Sequence, residues 1–561
     1  MIRNKVMNET QVAKISIILF IWGALFFFLK LQYNFLDGYD IALFWISILV
    51  MFGVIIYQIF FLENNKFVLF EIFIVYFLLH LVYQAGYYGL RGSDSYIDYN
   101  TLKTILSHHQ IIVGQDSQTS WPMIHIFSSI TTLITKINPL LIAKILPSFI
   151  TSIIVLPLYL LINHIYKNKK VALFSCLLFG FTPAFISTEA LFIREIFAFF
   201  IFILLFYVLY VANQRKDRRF GLLSIILIPV VIFSHHFTSF MLIIFLTIYI
   251  VVSQVIPFLY RKDKNIEFSN VQINTFFPLL IITIISYWCY IAVFIFKEFF
   301  KIYYDITGAK EFAPYSERVN LGGPIATLEG NIIYYGFFFF QGILCLILLI
   351  TLIRKRNKYK IEDTSFTLFL YFCLFFGFLS LFVFGSILYP DRFLPFGWIL
   401  GLIPLSVLLF NLKKKRYKAI LMVILISFSI YNIYNIDPSF FTGNAHLTGT
   451  IATEEEYAIA KTISIPTTYY GYLSVFGAIY DIQGVEFKEG RGKNPITSID
   501  FPNSSTLAII YKDLYLHYSI NVKIKSPKYY DRIMKILLYE NFNDVNKICD
   551  LGDIYVLKWS E

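Results

Sequence analysis

The sequence predicts an α-helical polytopic membrane protein of about 13 transmembrane helices, followed by a small extracytoplasmic α/β domain. Three observations predict it. Hydrophobic residues make up 58% of the 561 positions against 15% charged, with a mean hydropathy of +0.67, where soluble domains carry about 25% charged residues. The apolar residues gather in runs of the length a helix needs to cross a bilayer, about 20 residues, separated by short basic stretches. From Asp437 onward the chain turns polar. Soluble enzymes, disordered proteins, disulfide scaffolds and nucleic-acid binders are excluded by the same figures.

The apolar runs fall at 15–32, 41–61, 67–88, 144–165, 171–186, 196–213, 221–235, 237–258, 276–296, 332–353, 365–387, 394–412 and 419–436. The net charge of +11 comes from cations bunched between them: Lys167, Lys169 and Lys170; Arg215, Lys216, Arg218 and Arg219; Arg261, Lys262 and Lys264; Arg354, Lys355, Arg356, Lys358 and Lys360; and Lys413, Lys414, Lys415, Arg416 and Lys418. Alternate connections carry these groups, so the positive-inside rule places them, and the N-terminus, in the cytoplasm of a multi-pass plasma-membrane protein. The charge therefore reports orientation and not a nucleic-acid partner. Crossing at 121–137 would put Lys167 to Lys170 outside, so that run is expected to lie in the outer interface. The membrane domain is then 1–436, with outer loops at 89–143 and 297–331, and the extracytoplasmic domain is 437–561. Loops of that length are usually functional, and Gly322-Gly323-Pro324 marks the second as a candidate for closing over substrate.

Cys176, Cys289, Cys345 and Cys373 lie in apolar runs and Cys549 alone in the tail, so no disulfide framework is expected there. Within the tail, Thr453 and Glu456 form a capping box opening a helix at 454–463, 507–511 reads as a buried strand, 527–539 as a helix and 554–557 as a last strand.

Four polar constellations fall on the outer side under this topology. Arg91-Gly92-Ser93-Asp94-Ser95-Tyr96-Ile97-Asp98 opens the first outer loop. Asp94 and Asp98 share one helical face there, Ser93 is placed to cap it, and a carboxylate at the surface can act as general base toward an acceptor hydroxyl. Glu189 and Arg194-Glu195 lie in the short outer turn before the sixth apolar run; an ionisable group at that depth faces a cavity or headgroups because facing lipid is costly. Ser234-His235-His236 sits at the outward end of the seventh run, where imidazoles can donate to a phosphate. Tyr389-Pro390-Asp391-Arg392 forms a tight outer turn whose guanidinium suits a lipid phosphate. Acids for acid/base work and cations for a phosphate, without a nucleotide-binding glycine loop in the sequence, point to a lipid-linked phosphate donor.

On these residues the chain resembles the GT-C superfamily of integral-membrane glycosyltransferases, which use polyprenyl-phosphate sugars. The features carrying the resemblance are Asp94-Ser95-Tyr96-Ile97-Asp98-Tyr99 after an early span, Trp121-Pro122-Met123-Ile124-His125 opening a juxtamembrane helix, and Ile145-Leu146-Pro147-Ser148-Phe149 entering the next span. Thr182-Pro183, then Glu195, and finally Arg392-Phe393-Leu394-Pro395 continue it, so that it spans 87–412. Ser234-His235-His236 together with the Gly92-Ser93-Asp94 loop is similar to archaeal members of the group. Two spans precede the one before the acidic loop, and Asp94 is followed by Ser95 where many members have a second acid. The Trp-Trp-Asp-Tyr-Gly motif of oligosaccharyltransferase subunits is missing, and Tyr469-Tyr470-Gly471-Tyr472 is a faint echo of it.

The resemblance implies an inverting transfer of a hexose or pentose from a dolichyl or undecaprenyl phosphate to a glycan, lipid or protein acceptor. It makes Asp94 the general base, with Asp98 or Glu195 assisting, and gives the donor phosphate to Arg392, His235, His236 and Arg194. Trp121, His125, Glu189 and Asp391 complete the set as acceptor or loop contacts. A divalent cation would be held by Asp94, Asp98 and Glu195 if the three converge. Two other classes share the sidedness. A polysaccharide ligase or polymerase would show arginine-rich outer loops, and a lipid-linked glycan transporter would show inverted repeats with ionisable groups at mid-membrane. The sequence shows neither.

Overall fold

The computed structural model describes residues 9–32, 39–62, 67–85, 90, 93–111, 113–114, 119–182, 191–215, 217–259, 271–296, 343, 346–347, 350, 354, 394–435, 469–470, 507–511, 545–550 and 554–559. The expected spans at 332–353 and 365–387 lie largely or wholly outside them, as do the loop 297–331, the tail helices 454–463 and 527–539, and Glu189, Asp391 and Arg392. The chain divides into two compact units, one of residues 1–86 and 101–437, the other of 87–100 and 438–561.

Among the described residues of the first unit, the regular elements are helices. Its helices are α1 (Glu9–Gln32), α2 (Tyr39–Phe61), α3 (Val68–Ala85), α5 (Met123–Thr135), α6 (Pro139–Ile153), α7 (Val155–Tyr166), α8 (Lys169–Phe179), α9 (Arg194–Arg215), α10 (Arg218–Ser234), α11 (His236–Leu259), α12 (Val271–Tyr290), α13 (Leu394–Asn411) and α14 (Lys415–Asn435). The helix α4 (Ser93–His108) begins in the second unit. Among the described residues, 139–166 and 194–215 are long and apolar enough to cross a bilayer, and shorter apolar helices make up most of the remainder. Each sequence-predicted span that falls on described residues overlaps a helix, with two differences: the helix in the run read at 171–186 ends at Phe179, and another run is interrupted. The run 144–165 is read from sequence as one helix, whereas the structure interrupts it at Ile154 between α6 and α7. Pro157 has no N–H to bond Ile153 O, and just after Ile153 the Ile154 N–H donates to Thr151 O at 3.2 Å, a tighter turn.

The helices start and stop for local reasons. Asn138, Asn168 and Asp217 accept from backbone N–H groups at the starts of α6, α8 and α10. Lys136 and Lys167 take left-handed φ of 56° and 51° to close α5 and α7. The Asp217 carboxyl is held below the usual carboxylate range, first by the Arg219 side chain and then by its backbone N–H.

α9 is the central helix, packed against α5, α6, α7, α10, α11 and α12. Phe396 of α13 inserts among Phe199, Phe202 and Phe245, with ring centroids at 5.2, 5.0 and 6.3 Å. The outer faces of many helices are apolar: Ile18, Trp22 and Leu25 on α1, Leu222 and Ile226 on α10, and Val423 on α14 are exposed. Such a surface is stable against lipid and costly against water.

α8 meets α3 where Gly180 abuts the Tyr76 ring, and the Tyr76 hydroxyl donates to Cys176 O. A Cβ at Gly180 would lie far inside contact distance of Tyr76 Cε1. Gly180→Ala is expected to destabilise the protein by about 1–3 kcal/mol through overpacking. Thermal unfolding of the purified protein in detergent would show this as a lowered midpoint, and an unchanged midpoint would refute the close approach.

In the second unit the described strands are β1 (Tyr469–Tyr470), β2 (Leu507–Tyr511), β3 (Val545–Asp550) and β4 (Ile554–Trp559), in sheet order β1-β2-β4-β3. β1 pairs with β2 in parallel, β2 with β4 antiparallel from Leu507↔Lys558 to Tyr511↔Ile554, and β3 with β4 antiparallel with a register shift between Lys547 and Cys549. Sequence reading places β2 and the start of β4 and misses β3, whose Asn546, Lys547 and Asp550 hide its period.

Candidate functional site

Trp121 sits at the hub of the site in the first unit. It follows the turn at 119–120, and Pro122 caps α5 immediately after it. Tyr287 of α12 donates its hydroxyl to Ser120 O at 2.5 Å, and Phe294 meets the indole edge-on at 5.3 Å. Upstream, Gly114 takes φ +82°, and a Cβ there would lie 3.0 Å from Ile291 O, so the chain approaches the end of α12 closely. The indole is fully buried, and its Nε1 has no hydrogen-bond acceptor among the described residues. An indole N–H is a donor only, and leaving one buried and unmatched costs about 1–3 kcal/mol.

Two further sequence-predicted residues close on that ring. The His236 ring centroid lies 4.6 Å from it, and the Arg194 guanidinium carbon stands 6.0 Å over its centroid. His235 and His236 are themselves 4.6 Å apart. The histidine corner is rigid because His235 is the single extended residue between α10 and α11, with φ −164° and ψ 133°. His235 N–H donates to Val231 O, Ser239 Oγ donates to His235 O at 2.8 Å, and His235 Nδ1 lies 3.1 Å from Thr238 Oγ1. Thr238 and Ser239 escape sequence reading as site residues, although a Ser/Thr pair just after His-His is the local signal for a pinned helix corner.

Glu195 follows Arg194 in the first turn of α9 and is 7% exposed. A carboxylate at the positive end of a helix is favoured by the helix dipole. His125 is fully buried on α5, whose polar residues form an inward stripe: His125, Ser128, Ser129 and Thr132 are buried while Phe127, Ile130, Leu133 and Ile134 are exposed, Ile134 to 76%. At 13 residues α5 is about 20 Å long, shorter than the roughly 30 Å hydrocarbon core. The inverted polarity is the signature of a helix that turns its apolar side to lipid and its polar side to protein.

In the second unit, α4 carries the acidic pair. Asp94 is exposed in its first turn, whereas Asp98 one turn on is 1% exposed, flanked by buried Ser95, Tyr96 and Tyr99. The Tyr96 hydroxyl accepts from Leu90 N at 3.0 Å, tying the incoming chain to the helix. The two aspartates thus share a face by spacing and differ in burial. Among the described residues no three of His, Cys, Asp and Glu form a group that could hold a metal ion.

No protein-family model matches the sequence, and no curated protein matches it. The fold is similar to crystal structures of ArnT from Cupriavidus metallidurans, one bound to undecaprenyl phosphate and one in the apo state. Each is 11% identical with a TM-score of 0.47, covering 87% of this chain and 97% and 96% of the ArnT chain. A likeness of this degree assigns no role to any residue here.

Proposed function

We propose that the protein is an inverting membrane glycosyltransferase of the GT-C type that moves a sugar from a polyprenyl phosphate to an acceptor hydroxyl. The observation that carries the reading is the meeting of Arg194 and His236 on the ring of Trp121, a buried indole whose own N–H is unmatched among the described residues. A fixed cation, an indole donor and an imidazole suit a phosphate whose negative charge grows as it leaves, and preorganised donors of this kind are each worth about 3 kcal/mol. The archaeal-type Ser234-His235-His236 corner holds one side of that phosphate, and Arg392 adds a second guanidinium.

In the reaction, the acceptor hydroxyl oxygen attacks the anomeric carbon as Asp94 takes its proton. The bond from that carbon to the phosphate oxygen breaks, its electron pair stays with the polyprenyl phosphate, and the configuration at the carbon inverts. Asp98 and Glu195 position the acceptor, and His125, Glu189 and Asp391 are assigned to it as further contacts. The carboxylate of Asp94 is exposed and so accessible, which a base serving a bulky acceptor needs.

The test is transfer by purified protein in lipid vesicles, given radiolabelled hexose or pentose on undecaprenyl or dolichyl phosphate. Release of polyprenyl phosphate is expected with at least one donor. Folded protein that releases none from any of them would overturn the proposal in favour of a ligase or a transporter.

A further inference from the structure

Two basic turns meet at one end of the first unit. The turn between α7 and α8 carries Lys167, Lys169 and Lys170, and that between α13 and α14 carries Lys413, Lys414, Lys415 and Arg416, with Lys418 one turn into α14. α8 packs on α13, and an aromatic wall lies beside the contact: Phe410 stacks on Phe60 of α2 at 5.0 Å and meets Phe174 edge-on at 6.0 Å.

Two of these lysines fold back onto the wall. Lys170 Nζ donates to Phe60 O at 3.3 Å, and Lys418 Nζ stands 5.3 Å over the Phe60 ring and 4.9 Å over that of Phe410. Both side chains are half-buried, while Lys167, Lys169 and Lys413 to Arg416 are exposed. Neither Lys170 nor Lys418 makes an ion pair among the described residues. Burial first, and the charge of Lys170 second, hold the Lys418 ammonium below the usual lysine range.

The positive-inside rule accounts for the excess of cations in these turns. It does not account for two ammoniums drawn together on one residue, since lysines left to themselves extend their heads into water. Like charges gathered without a carboxylate are stabilised by an anion between them. The outward face of α2 that leads to Phe60 is apolar, with Ile46, Leu49, Tyr57 and Phe61 exposed, Phe61 to 69%. An anion with a hydrocarbon tail satisfies both features.

We infer that Lys170 and Lys418, backed by Phe60 and Phe410, seat the phosphate of an anionic phospholipid whose acyl chain runs along Tyr57, Leu49 and Ile46 of α2. The site uses none of the residues assigned to sugar transfer and stands or falls apart from that reading.

The test compares the full-length protein with K170Q/K418Q and K170R/K418R in detergent, titrated with phosphatidylglycerol, phosphatidylcholine or inorganic phosphate. Bound lipid is counted by native mass spectrometry and the unfolding midpoint is followed alongside. Wild type is expected to retain phosphatidylglycerol, and each lost lysine to weaken it about fivefold, the ~1 kcal/mol a lysine contributes near an anionic surface. The arginine pair is expected to keep binding, and phosphatidylcholine to bind no tighter to wild type than to K170Q/K418Q. Equal retention of phosphatidylglycerol by wild type and K170Q/K418Q would overturn the site. A midpoint shift from inorganic phosphate equal to that from the lipid would overturn the lipid as its occupant. Should K170Q/K418Q yield no folded protein, K418Q alone is read the same way against its fivefold expectation.

Discussion

Asp94→Asn is expected to lower polyprenyl phosphate release by about 10²- to 10⁴-fold, the usual contribution of a general base, with an unchanged unfolding midpoint. The carboxylate is exposed in the first turn of α4, so the amide gives up no packing, and Asn is as well suited as Asp to a helix start. Asp98→Asn is expected to behave differently. Asp98 is 1% exposed, and changing a buried carboxyl disturbs the groups around it, so both turnover and the midpoint should fall. The pair of variants separates base from positioning residue. An Asp94→Asn protein that turns over normally beside an inactive, fully folded Asp98→Asn protein would move the base to Asp98, and normal turnover in both would remove the acidic pair from the chemistry.

The second large effect is expected at the phosphate. Arg194→Ala should cut turnover on the order of 10²-fold, because a preorganised charge aimed at a leaving group is realised most fully in the transition state. Arg392→Ala is expected to cost about as much. Arg194→Lys keeps the charge but loses the flat guanidinium that rests over Trp121 at 6.0 Å, and should recover only part of the rate. Trp121→Phe keeps a ring against His236 while deleting the Nε1 donor, which isolates that hydrogen bond. Single-turnover rates with donor in excess would measure all four. Near-normal turnover in both arginine variants would sink the phosphate assignment, whereas a rise confined to the donor KM would show that these groups bind ground state and transition state alike.

Local physics made the helical part legible. Apolar run length and the basic stretches between runs are properties of neighbouring residues, so the sequence places α1 to α3 and α9 to α14 and the start of α8, while the caps at Asn138, Asn168 and Asp217 are read from the structure. Strand β2 was readable because Leu507 to Tyr511 is a short apolar run, and β3 was not because its polar residues obscure the alternation. The run read at 144–165 is one membrane-length segment in the fold, 139–166, and its tighter turn at Ile154, three residues before Pro157, has no counterpart in the apolar period.

The candidate residues were nameable one constellation at a time because ionisable groups at the ends of apolar runs are costly and so conspicuous. Which of them meet was not. Trp121 lies 115 positions before His236 and 73 before Arg194, and their contact depends on α5, α9 and the α10–α11 corner packing together, a long-range event no local period encodes. The same holds for Lys170 and Lys418, read from sequence as two separate orientation signals and brought by helix packing to one phenylalanine. The sequence by itself determined a helical membrane chain, its segment ends and its reactive residue types, because those follow from nearest-neighbour chemistry. Only the tertiary structure decided that Asp98 is buried and Asp94 is not, that α5 turns its polar stripe inward, and that Trp121 joins a histidine to an arginine, because each depends on what packs against the residue from elsewhere in the chain.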